Sequence, residues 1–126
     1  MEKVSQEIYN ELWGSTITKF KVDFFVNSFT IFGYRIYNGN KTDFKLTFNN
    51  VHNLIYMNPK WVDSKEVVSE KIDLAEIYLT DNWTSEIYNK TEHVAKESYN
   101  TFIDIWTKII LLKADSLKYN EVEYEL

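Results

Sequence analysis

Residues 17–57, ITKFKVDFFVNSFTIFGYRIYNGNKTDFKLTFNNVHNLIYM, constrain the fold more than any other part of the chain. Phe20, Val22, Phe24 and Val26 share one parity, while Lys19, Lys21 and Asp23 share the other. Further on, Phe44, Leu46 and Phe48 alternate with Asp43, Lys45, Thr47 and Asn49. A period of two sends successive side chains to opposite faces of a strand, so both runs read as half-buried strands. Between them, residues 29–37 carry large residues on both parities, which marks a strand that is central or covered on both faces. Gly33 in its middle implies a bulge or a close approach by another backbone. Asn38-Gly39 follows, and because both residues tolerate positive φ the pair is a strong hairpin signal. The stretch therefore predicts an antiparallel meander.

The rest of the chain is read around that meander. Val4, Ile8 and Leu12 recur at helical spacing, with Glu7 and Glu11 on the outer side, so residues 3–13 predict a short N-terminal helix. Trp13-Gly14-Ser15 stops it, with Gly14 as the left-handed residue past the end. Strand one is expected over residues 17–26, with Asn27-Ser28 as a turn, and strand three over 42–48. Asn49-Asn50 signals another turn, after which residues 51–57 fit either a fourth strand or a helical turn. Asn58-Pro59 ends that segment. Residues 61–71 read as a polar loop, with one helical turn at 65–70, and 72–80 as a strand. Residues 85–98 fit helical spacing as well as irregular or strand structure. Residues 101–106 and 109–117 are strands joined at Thr107-Lys108. The tail alternates Val122, Tyr124 and Leu126 with glutamates, as an edge strand or a frayed end. Seven or eight strands and one helix predict a mainly β fold, with α+β as the alternative. The meander would form a sandwich or partly open barrel, in a single domain over residues 1–126.

Charge and composition restrict the function classes. The chain has no Cys, which excludes disulfides, thiolate metal sites and a Cys nucleophile. Its first residues, MEKVSQEIYNELW, contain no apolar core of a signal peptide, so the expected location is cytoplasmic. The longest apolar run, residues 109–112, is far too short to span a bilayer, and no membrane partner is expected. Asn40, Asn82 and Asn89 match the glycosylation acceptor pattern by chance, given no export signal. The net charge of −5 divides unevenly, +1 over residues 1–63 and −6 over residues 64–126. An acidic half repels phosphate backbones and disfavours nucleic acid, whereas it suits a basic protein partner. The plain alternative is a solvated acidic surface that keeps a small protein soluble.

No motif carries chemistry. His52 and His93 are the only histidines, and neither has a second ligand at metal-binding spacing. With three glycines in all there is no phosphate-cradling loop, and no cofactor is expected. Asp23 and Asp104 lie inside apolar runs and would form a carboxylate pair only if the fold brought them together. Parity puts Asp23 outward beside Lys19 and Lys21, while Asp104 shares its side with Phe102 and Trp106. The four Trp, nine Tyr and eight Phe are good strand residues by default. They could also line a ligand cavity or anchor an interface. Trp61 and Trp83 sit beside turn-like sequence and are the expected exposed pair.

The run Leu12-Trp13-Gly14 leading into ITKFKVDF, then a hairpin, then FKLTFNNVHNL, resembles small uncharacterised proteins of Bacillus-like Firmicutes. Some of those are similar to immunity proteins encoded beside polymorphic toxins. The likeness covers residues 12–57 and transfers no catalytic residues. It implies a small acidic β-rich protein that binds and blocks a toxin. The expected function is thus non-enzymatic: a protein-binding module of the immunity kind, meeting a basic toxin domain through Trp61, Glu66, Glu70, Asp73, Glu76 and Trp83. The alternative is a small apolar-ligand-binding barrel or sandwich, and a third reading is a hydrolase dependent on Asp104. A homodimer through the exposed edge of the meander is compatible with each.

Overall fold

The computed structural model describes residues 1–57, 72–73, 76–79, 91, 94–105 and 108–126. In chain order these form β1 (Glu2–Lys3), α1 (Gln6–Asn10), β2 (Thr16–Asp23), β3 (Ser28–Tyr37) and β4 (Asn40–Met57). There follow β5 (Ile72–Asp73), β6 (Glu76–Leu79), a 3₁₀ turn (Lys96–Ser98), β7 (Thr101–Ile105), β8 (Lys108–Tyr119) and β9 (Val122–Glu125). The fold is mainly β, as the alternation predicts.

The helix is shorter than the expected 3–13 because the chain start serves the sheet instead. Glu2 and Lys3 pair in parallel with Tyr124 and Glu125, and the Val4 N–H donates to the Glu125 carbonyl at 2.8 Å. What remains of the helical pattern works as read. Val4, Tyr9 and Leu12 are buried, and Ile8 packs on the same core. Gly14 then takes φ +75°, a left-handed conformation that costs glycine nothing.

The hairpins follow turn chemistry. Asn38 and Gly39 both have positive φ (51° and 79°), the two-residue turn that matches strand twist. The β8–β9 hairpin uses the same device at Asn120 and Glu121 (52° and 66°), so β8 runs to Tyr119, past the expected end at residue 117. In the β7–β8 hairpin Ile105 pairs with Lys108, which puts Lys108 in the strand rather than in the turn. The tail pairs with β8 on one side and the two-residue β1 on the other.

Two expectations in the meander are corrected. First, β2 ends at Asp23, not at residue 26. The Asp23 carboxylate accepts N–H bonds from Phe25 (3.0 Å) and Val26 (3.4 Å), so its short side chain draws the backbone into a turn. Phe24 and Val26 continue the core-facing parity in sequence but lie in that turn, facing water. Second, Asn49-Asn50 does not reverse the chain. Asn50 takes φ 52° and β4 continues through it for 18 residues in all. The side of the strand that meets the core changes there: Phe44, Leu46 and Phe48 before the kink, Val51 after it. The register against β8 also shifts between Val51 and Asn53.

Gly33 is the close approach that its place in β3 predicts. A Cβ there would collide with the Thr16 carbonyl oxygen and lie 2.8 Å from the Phe44 ring. In β2, a shift of register between Ile17 and Lys19 changes parity, so that Ile17 and Phe20 both reach the core.

The antiparallel order β2-β3-β4-β8-β7-β6 has β5 on the other edge of β2. Since β5 and β6 are only two residues apart in sequence, the sheet curls until its two ends meet the same stretch of chain. This is a partly open barrel, with β5 and β6 at its seam. The interior is filled by Ile31, Leu46, Phe48, Ile103, Leu112 and Leu117, all fully buried, with α1 packed over the β6 side. Phe102, Ile109 and Leu111 form a second cluster with Ile55 and Met57 on the opposite face of the β4–β8 ladder.

Candidate functional site

Four of the residues singled out in the sequence, Trp61, Glu66, Glu70 and Trp83, lie outside the described residues, as does His93. The backbones of the other two are placed. Asp73 sits in β5 opposite Thr16, and Glu76 in β6 opposite Asp104. The barrel seam therefore brings these two acidic positions onto adjoining segments.

Asp23 is committed to the turn after β2. Asp104 is half-buried in β7, between Glu76 and Ile109 in the ladder. His52 Nε2 lies 2.8 Å from Asp115 Oδ1, both side chains in solvent, beside the kink of β4. Among the described residues no group of three His, Asp or Glu side chains could hold a metal ion. No helix among them is long and apolar enough to cross a membrane.

What the structure does present is an apolar tip. Phe24, Phe25 and Val26 are 84%, 100% and 62% exposed, at the end of the β2–β3 hairpin. Val22 and Leu54 extend the apolar surface beside them. The tip is held from below at three points: the two N–H bonds to Asp23, and the Val51 N–H donating to the Asn27 carbonyl at 2.8 Å. A shallow concavity of about 170 Å³ lies at its base, between Phe29, His52 and Leu54. Three consecutive apolar side chains thus stand in water on a turn held by these hydrogen bonds.

Two other open grooves flank the sheet. One of about 520 Å³ lies between Trp13, Arg35 and Tyr37, with the Arg35 guanidinium donating to the Glu11 carbonyl at 2.9 Å. The other, about 690 Å³, runs past Phe32, Lys45 and Lys118 to Glu121 and Glu123.

The model of the YxiG-like protein family matches residues 5–124. The chain belongs to the YxiG-like family. YxiG is a Bacillus protein name, so the match supports the Bacillus-type resemblance read in residues 12–57 and extends it over the barrel. No curated protein and no solved structure matches this YxiG-like chain.

Reading the sequence by parity alone hides the tip, because Phe24 and Val26 continue the alternation of Phe20 and Val22. The signal that finds it is Asp23, four residues before Asn27. A short carboxylate that caps a turn and an Asn that accepts positive φ bracket a loop, whatever the hydrophobicity between them.

Proposed function

We propose that this protein is a non-enzymatic binding module that uses the Phe24-Phe25-Val26 tip to engage another protein, and that it acts as an immunity protein masking a toxin domain. The observation that carries the reading is the tip itself: a fully exposed Phe on a turn pinned by Asp23. Aromatic side chains anchored in a partner's pocket supply most of the affinity in interfaces of this kind. The acidic segment with Glu66, Glu70, Asp73 and Glu76 steers a basic partner toward that contact and accelerates association. This reading also carries with it a cytoplasmic location, and Trp61 and Trp83 are candidates for partner binding on their sequence context alone.

The test is affinity capture from host lysate with the wild-type chain and with a Phe24→Ser/Phe25→Ser variant. One stoichiometric partner carrying a toxin domain, inhibited by the wild type and released by the variant, is the expected result. If the captured partner's activity is unaffected by a stoichiometric amount of the protein, the masking role is wrong. If the double variant captures it equally well, the tip is not the contact.

A further inference from the structure

The far end of β4 has a strand on one side of it and none on the other. The last rung between β3 and β4 is Phe29 with Phe48, and beyond it the Val51 N–H reaches back to the Asn27 carbonyl. From Asn53 to Met57 every residue of β4 pairs with β8, Asn53 with Lys113 through to Met57 with Ile109. Among the described residues no strand takes the lane on the opposite side, where β3 would lie had it begun a few residues sooner. The side chains register the gap. Leu54 and Tyr56 stand opposite Leu112 and Ile110, and cross-strand partners share a face of the sheet, here the one that carries the core. Leu112 and Ile110 are buried, yet Leu54 is 38% and Tyr56 57% exposed. Ile55 and Met57 lie on the other face, against the cluster of Phe102, Ile109 and Leu111. At the head of the lane is the hollow of about 170 Å³ between Phe24, Phe29 and Leu54, a size that holds a benzene ring.

An open strand edge presents a row of unpaired N–H and C=O groups, and Asn53–Met57 bring to it no charged side chain of the kind that discourages pairing. Such an edge recognises another extended backbone: main-chain hydrogen bonds hold the added strand, and pockets for its alternate side chains select it. Resting on the reading that the tip engages another protein, we propose that this partner supplies an extended segment, which pairs with the β4 edge at Asn53–Met57 and seats one apolar side chain in the hollow beside Phe24. Alternate residues of the segment are apolar, because they cover Leu54 and Tyr56 and continue the core by one strand. The lane is of ordinary strand length. Its surface also joins that of the tip. At about 200 Å² for a wholly exposed aromatic residue, Phe24, Phe25 and Tyr56 offer roughly 480 Å². That is over half of the roughly 800 Å² that each side of a standard interface buries, before Val22, Val26, Leu54 and the backbone of the edge are added.

The experiment is backbone amide exchange of the full chain, followed by NMR, with a synthetic heptapeptide of Phe followed by alternating Thr and Val as the probe. In the free chain, the amides of residues 53–57 that face away from β8 should exchange quickly. Millimolar peptide should slow them about tenfold or more. The same peptide N-methylated at alternate residues should not, because it cannot complete the ladder. Leu54→Lys/Tyr56→Lys, or Tyr56→Lys alone if the pair does not fold, should abolish the slowing, since a charge on an edge strand blocks pairing. Edge amides that are protected without peptide, unaffected by it, or slowed equally by the N-methylated form overturn the proposal. So does protection that grows with protein concentration alone, which makes a second copy the occupant. Capture from lysate separates this proposal from the reading of the tip: Phe24→Ser/Phe25→Ser and Tyr56→Lys should each release the partner. A partner lost by the tip variant but kept by a folded Tyr56→Lys chain leaves the tip standing and overturns the added strand. A partner kept by the tip variant but lost by Tyr56→Lys leaves the edge as the contact and overturns the tip.

Discussion

Two residues show what local chemistry the barrel depends on. Gly33 has no room for a side chain: an added Cβ would run into the Thr16 carbonyl, which is backbone and cannot step aside. Gly33→Ala should cost about 3 kcal/mol in urea unfolding, at the upper end for overpacking. Tyr9 is buried at the base of the barrel with its hydroxyl 3.4 Å from Thr101 Oγ1. Burial pushes its phenol above the ordinary value of 10.0, partly offset by the Thr101 hydrogen bond. The folded protein therefore holds the Tyr9 proton where the unfolded chain would release it. The stability from this group is complete below pH 10 and declines as pH rises further, through the folded-state value. Unfolding free energy measured across the alkaline range should fall above pH 10, and Tyr9→Phe should flatten that fall while costing about 1 kcal/mol at neutral pH.

At the scale of elements, asparagines in the left-handed region decide where strands turn and where they only bend. Asn27 and Asn38 stand in turns, whereas Asn50 kinks a continuous strand. Replacing Asn50 by Val should destabilise the protein by about 1–2 kcal/mol, because a branched side chain opposes positive φ. Asn50→Gly should be close to neutral. Thermal melts of the pair distinguish backbone conformation from a lost side-chain contact. This ambiguity is also why the sequence misplaces two boundaries. Asn49-Asn50 has the composition of a turn, yet its partner is β8, more than sixty residues away, and only that long-range ladder carries β4 through it. Residues 24–26 keep the strand pattern, yet the Asp23 carboxylate ends the strand. By contrast, Gly33, Gly14 and Asn38-Gly39 were legible because each reflects a demand of the backbone itself. The two-residue β1 left no trace in sequence, since it exists through its pairing with β9.

For the whole molecule, the seam is what no local pattern encodes. Residues 72–79 alternate as one strand, but their first part pairs with β2 and their second with β7, a division set by closure of the barrel. The apolar tip stands at the end of the β2–β3 hairpin, and its exposed rings contribute little to the core. Phe24→Ser/Phe25→Ser should leave the melting temperature within a few degrees of wild type, as for surface substitutions in general. The account's central claim is that the tip is a binding anchor, and calorimetric titration of the captured partner tests it most directly. The wild type, the Phe24→Ser/Phe25→Ser variant and a charge-reversed variant at Glu66, Glu70, Asp73 and Glu76 would be compared at two salt concentrations. Loss of at least a hundredfold in affinity for the tip variant, and a smaller, salt-dependent loss for the charge-reversed one, is predicted for an aromatic anchor with electrostatic steering. Unchanged affinity of a folded tip variant would contradict the account.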